Sequence, residues 1–288
     1  MPRQGPLSRY RGTPVAILLI LGLAACGSGS PRTGQTPSGL AWEMTGRGPA
    51  VVLVHGSMLD RRQWNPQRPL AHRFTVIRYD TRWHGASAGA DSAFRGADDL
   101  AQVLDAAGVD QASVVGLSNG ARIAVDFALA YPRRVRRLVL MSPGLEGYAP
   151  VERPAFWGPL LAALQEGAVD RAAQVLAESP GMVVAAADTH WVAAMVRDNA
   201  GVFRQDPTRE VRGDPPAIRR LREIRAPTLI ITGDADLRDI VLTGDTLEQG
   251  IPGARRAVMH GARHLLSITH AAQVNQLLMD FLSDGPSR

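Results

Sequence analysis

The chain has 288 residues, 45% hydrophobic and 20% charged, enough to bury one sizeable core without disulfides or a structural metal. Its single cysteine, Cys26, excludes an intramolecular disulfide, and no Cys/His cluster has zinc-ligand spacing. All 32 basic residues are arginines scattered among acids, with no basic stripe and no stacking aromatics, so a nucleic-acid surface is not expected despite the +5 formal charge.

Residues 1–14 carry arginines and no acids, and residues 15–23 are almost continuously apolar. A basic stretch followed by a short apolar one reads as a secretory leader, too short to span a bilayer. Leu23-Ala24-Ala25-Cys26 then resembles the bacterial lipobox, in which the cysteine thiol receives the lipid and small residues before it suit the peptidase. The expectation is a signal peptide over residues 1–25 and a lipid anchor at Cys26. Several acyl chains on one residue hold a protein stably at a membrane. Residues 26–39, rich in Gly, Ser, Pro and Thr, read as a flexible tether. The implied location is the bacterial cell envelope, and the outer membrane facing the periplasm if the host has two, because Gly27 rather than Asp follows the cysteine.

From residue 40 onward the pattern alternates. Short apolar strands are expected at 50–54, 74–79, 112–115, 135–141, 228–232 and 254–259. Several are apolar on both faces, as in a parallel sheet covered by helices. Helices are expected at 97–107, where Leu100, Val103 and Leu104 form a stripe, at 120–130 with Pro132 beyond its end, and at 271–282. The rhythm breaks over residues 148–222, which are helix-like and bounded by prolines. That stretch reads as a helical cap inserted between core segments 40–147 and 223–288. The fold class expected is therefore α/β, a mostly parallel doubly wound sheet with a helical cap, and its chemistry should lie at the carboxyl ends of the strands.

Gly116-Leu117-Ser118-Asn119-Gly120 fits G-x-S-x-G between an apolar strand and an apolar helix. A nucleophile on such a sharp turn is held in a strained backbone, and only small residues fit two positions before and after it. The helix amino terminus behind Ser118 favours developing negative charge. An oxyanion hole needs two backbone N–H groups. The amides of Asn119 and of Ser57, in the His55-Gly56-Ser57-Met58 turn after the 50–54 strand, are the candidates. The strand at 228–232 is followed by three acids, Asp234, Asp236 and Asp239, among which spacing does not choose. His264 follows the 254–259 strand, flanked by His260 and His270. The order Ser, acid, His, each just past a strand, favours it as the base.

Residues 40–282 resemble the α/β-hydrolase superfamily through VVLVHGS, YDTRWHGAS, VVGLSNGARIA, YPRRVRRLVLMSP, APTLIITGDAD and GARH. They most resemble its 3-oxoadipate enol-lactonase-like and cofactor-free haloperoxidase-like esterases. The resemblance implies Asp236 as the acid, His264 as the histidine and Ser118 as the nucleophile. A serine there sets the chain apart from the dehalogenase and epoxide hydrolase branches, which place Asp at that position. Two departures stand out: Trp83 where the family has Gly, and Ala121 where it often has a second Gly. The function implied is hydrolysis of a small-molecule ester or lactone without a cofactor. The alternatives are a carbon–carbon hydrolase or perhydrolase using the same three residues, and a non-catalytic envelope binding protein on this scaffold.

Overall fold

Alternation within each central strand decides how the layers form. In the strand Ala50–Val54, Val51 and Leu53 face one side and join one apolar cluster, while Val52 and Val54 face the other and join a second. Val115, Val139 and Ile231 belong to the first cluster, and Val114, Leu138, Leu140 and Ile230 to the second. A sheet apolar on both faces must be covered on both, and it is.

The computed structural model describes Met1 and residues 31–179, 181–182 and 186–283. Its strands are β1 (Arg32–Gln35), β2 (Ala41–Thr45), β3 (Ala50–Val54), β4 (Thr75–Tyr79), β5 (Ala112–Leu117), β6 (Val135–Met141), β7 (Thr228–Gly233) and β8 (Arg255–Met259). The helices are α1 (Gly96–Ala107), α2 (Asn119–Ala130), α3 (Trp157–Gln165), α4 (Val169–Glu178), α5 (Ala186–Asn199), α6 (Arg238–Gly250), α7 (Leu266–Thr269) and α8 (Ala271–Ser283). The eight strands form one sheet in the order β1-β2-β4-β3-β5-β6-β7-β8. The β1–β2 and β2–β4 pairs are antiparallel, and all other neighbours are parallel. The fold is the α/β-hydrolase fold.

One face packs α7, α8 and a 3-10 segment, Arg61–His72, through Leu266, Leu278 and Trp64, and the same apolar cluster runs on into helices α3–α5, which pack on one another, through Leu160, Leu176 and Met195. The other packs α1, α2 and α6 through Leu100, Leu104, Phe127 and Leu247. The chain runs from β3 outward to β4, then returns to β5 on the opposite side of β3. The carboxyl ends of β3 and β5 thus lie side by side at the switch point, where α/β sheets open a crevice.

The expected strands and helices agree with these elements to within two residues at their ends. Three differences have physical causes. Residues 32–39, expected to be part of the tether, are ordered: Arg32–Gln35 pairs with β2, and Thr36 is buried and accepts the Leu40 N–H on its hydroxyl at 3.0 Å. Composition alone overlooked that an edge strand with one exposed side needs few apolar residues. Strand β2, only five residues long, sits in antiparallel pairing that periodicity did not resolve. Helix α6 was not expected because its apolar stripe is interrupted by Thr243 and Gly244, both buried. Residues 2–30, which hold Cys26 and all of the expected leader but Met1, lie outside the described residues, and among those described no helix is long and apolar enough to cross a membrane.

Candidate active site

Ser118 sits between β5 and α2 with φ 55° and ψ −116°. A non-glycine residue in the left-handed region costs energy that the surroundings must hold in place. Here they do: Ser118 N–H donates to Met141 O at 3.0 Å, and Ser118 O accepts the amides of Ala121, Arg122 and Gly144. The flanking glycines are sterically required. A Cβ on Gly116 would strike the Gly120 carbonyl, and one on Gly120 would strike the Val54 and His55 carbonyls.

His264 and Asp236 arrive from the loops after β8 and β7. The Asp236 carboxylate is fully buried. Its Oδ1 accepts from His264 Nδ1 at 3.1 Å and from the Leu237 N–H at 2.7 Å, while Oδ2 is buried without a partner. The other two acids are occupied elsewhere. Asp234 pairs with exposed His260 at 2.6 Å and accepts the Gly261 N–H. Asp239 accepts the Val151 and Glu152 amides and the Tyr148 hydroxyl, tying residues 148–152 to the first turn of α6. The His270 ring meets the Thr269 hydroxyl at 2.9 Å and, among the described residues, no carboxylate. Of the three histidines, His264 alone lines the cavity that also exposes Ser118.

Ser57 lines the same cavity. In its turn, the Gly56 amide donates to Gln63 Oε1 at 2.9 Å, Met58 N–H to His84 Nε2 at 3.3 Å and Leu59 N–H to Gly56 O. Among the described residues, the amides of Ser57 and Asn119 have no hydrogen-bond acceptor. Those are the two donors that the sequence nominates for the oxyanion.

The turn is fixed by two histidines that sequence inspection did not single out as functional. His55 Nε2 accepts from the Thr81 N–H at 2.9 Å, so its proton is on Nδ1, which donates to Gly56 O at 2.8 Å. His84 accepts from Met58 N–H on Nε2 and donates from Nδ1 to Arg82 O at 2.8 Å. The rings meet edge to face at 5.0 Å. Burial pushes both pKa values down to about 4, with His55 adding to the shift at His84. The signal for His84 was the His84-Gly85 step after β4, which sequence inspection noted only beside the unusual Trp83. Trp83 takes φ 62° and packs edge to face on Phe94 at 5.3 Å. Arg122 was also missed. Its guanidinium donates to Asn119 Oδ1 at 2.8 Å and reaches Asp126 and Glu210, fixing the first residue of α2.

The cavity measures about 560 Å³. Phe156, Trp157, Leu160 and Leu161 of the α3 region line it, together with Leu237 and Leu265. Among the described residues no group of three or more His, Cys, Asp or Glu side chains is arranged to hold a metal. A hydroxyl, a carboxylate-oriented imidazole and the Ser57 amide on one apolar chamber, with the Asn119 amide directly after Ser118, can carry out acyl transfer.

The model of the Alpha/beta hydrolase family matches residues 51–277. The chain is 30% identical over 268 residues to the 2-hydroxy-6-oxononadienedioate/2-hydroxy-6-oxononatrienedioate hydrolase 2 of Pseudomonas putida, covering 87% of this chain and 94% of that one. Among solved structures it is similar to the enol-lactonase from Burkholderia xenovorans LB400, with TM-score 0.72, 25% identity and coverage of 88% and 100%. It is likewise similar to a thermophilic esterase from Thermogutta terrifontis, with TM-score 0.67, 25% identity and coverage of 88% and 98%. The strained serine turn, the doubly wound sheet and these matches agree: the chain belongs to the alpha/beta hydrolase family.

Proposed function

We propose that the protein is a serine hydrolase that cleaves a carboxylic ester or lactone through an acyl-enzyme. Ser118 Oγ attacks the carbonyl carbon while His264, held by Asp236, takes the hydroxyl proton. The carbonyl oxygen becomes an oxyanion facing the Ser57 and Asn119 amides. One such donor contributes roughly 2.7–4 kcal/mol of transition-state stabilisation. As the tetrahedral centre collapses, the carbon–oxygen bond to the alcohol breaks and His264 returns the proton to the departing oxygen. Water then attacks the ester to Ser118, with His264 again accepting and returning a proton. Helices α3–α5 act as the cap over this site. The single observation carrying the reading is that Ser118 and His264 open on one cavity while His264 is bonded to the fully buried Asp236.

Ser118→Ala should abolish p-nitrophenyl ester turnover and fluorophosphonate labelling, measured on the same preparation. Retention of either by the variant sinks the assignment.

A second reading has a specific support. The Pseudomonas putida relative is named for a substrate without an ester linkage, so its hydrolysis breaks a carbon–carbon bond. The same three residues would serve, and turnover of a diketone panel in preference to esters would favour it.

We also propose that Cys26 is lipidated and holds the enzyme at the bacterial cell envelope, as Leu23-Ala24-Ala25-Cys26 suggests. Radiolabelled palmitate should enter the wild-type chain and not Cys26→Ser, which should move to the soluble fraction. Equal labelling of both would end the proposal.

A further inference from the structure

We infer that the cavity takes an uncharged acyl group and rejects substrates bearing a second carboxylate. This rests on the serine-hydrolase reading and adds substrate class to it.

The chamber is apolar where an acyl chain would lie. Leu160 and Leu265 are buried, Leu161 is half-buried, and Phe156 and Trp157 stack at 5.5 Å between ring centres. A carboxylate moved against those hydrocarbon walls loses its water and meets no donor on Phe156, Leu160, Leu161 or Leu265, a cost far above that of a neutral group. Apart from His264, three ionisable side chains border the space among the described residues: Glu152, Arg153 and Asp239. Two carboxylates and one guanidinium therefore border the space. Asp239 is locked in place by the two amides and the hydroxyl it accepts, and the loop it holds carries both Glu152 and Arg153 to the same edge. Glu152 lies 4.0 Å from Arg238, which does not line the space. Arg153 sits on the exposed edge, beside Glu152 in sequence. An anionic substrate would meet two carboxylates against one exposed guanidinium at the mouth and hydrocarbon inside, so the excess of like charge and the unpaired burial act in the same direction. At about 560 Å³ the space falls within the small-ligand range of roughly 300–1,000 Å³, so size does not itself exclude a diacid.

The test compares three substrates of similar length on the full chain: p-nitrophenyl hexanoate, mono-p-nitrophenyl adipate and p-nitrophenyl methyl adipate. The hexanoate and the methyl adipate should agree in kcat/KM within about ten-fold. The free acid should fall at least about 100-fold below them. Glu152→Gln should narrow that gap two- to five-fold, as should raised salt. The inference is overturned if the free acid matches or exceeds the neutral esters. It is equally overturned if the methyl ester falls with the acid, which would make size the cause, or if Arg153→Gln lowers turnover of the acid alone, which would make Arg153 its receptor. Failure of all three substrates together with absent fluorophosphonate labelling would instead remove the serine-hydrolase reading beneath it.

Discussion

At the scale of single residues, the sequence nominated a serine and an ordered set of partners, but the choice of acid depended on resemblance. Asp234, Asp236 and Asp239 lie within six positions, and all follow one strand. Burial separates them: Asp236 turns inward to His264, Asp234 turns outward to His260, and Asp239 caps the loop at 148–152. No spacing rule contains that information, because side-chain direction in a loop is decided by what it packs against. The proposed mechanism therefore makes a paired forecast. Asp236→Asn keeps the shape but presents the wrong hydrogen-bonding partner to the imidazole; in a serine protease the analogous exchange lowers kcat about 10⁴-fold. A loss of at least about 10³-fold in kcat for ester hydrolysis is expected here, against less than about two-fold for His260→Ala. Comparable losses in the two variants would assign the wrong carboxylate–imidazole pair.

At the scale of elements, the turn after β3 shows what a motif leaves unsaid. His55-Gly56 was legible as a tight βα connection, but its partner His84 arrives from the loop after β4, 29 positions later, through a pairing only the sheet creates. The turn requires both imidazoles neutral, since each uses one nitrogen to accept from a backbone N–H. Their folded pKa values, about 4, lie below the unfolded value near 6.5, so the unfolded chain binds more protons between those limits. The stabilisation is thus full above pH 6.5 and is lost as pH falls toward 4, up to about 3 kcal/mol per histidine. The carboxyls of Asp80, Asp99 and Asp126 are shifted upward by burial and act in the opposite sense, so the wild-type profile alone is not diagnostic. Comparison with His84→Gln isolates the effect. Denaturant unfolding between pH 6 and 5 should give the variant a slope of stability with pH smaller by about 1 kcal/mol per unit. Parallel slopes would mean that His84 is not held neutral.

At the scale of the whole molecule, the sheet order explains why distant motifs meet. Because the chain reverses around β3, the turn bearing Ser57 ends beside the turn bearing Ser118, and β7 and β8 bring Asp236 and His264 to the same carboxyl edge. The sequence by itself determined the period of the central strands, the helices that cover them and the glycines around Ser118, because these follow from local sterics and from burying both faces of a sheet. Tertiary structure alone decided the short antiparallel edge of β1 and β2, which acid faces the imidazole, the His55–His84 pair and the carboxylates at the cavity mouth. Those features depend on contacts between segments far apart in the chain, and such contacts leave no periodicity for a sequence to display.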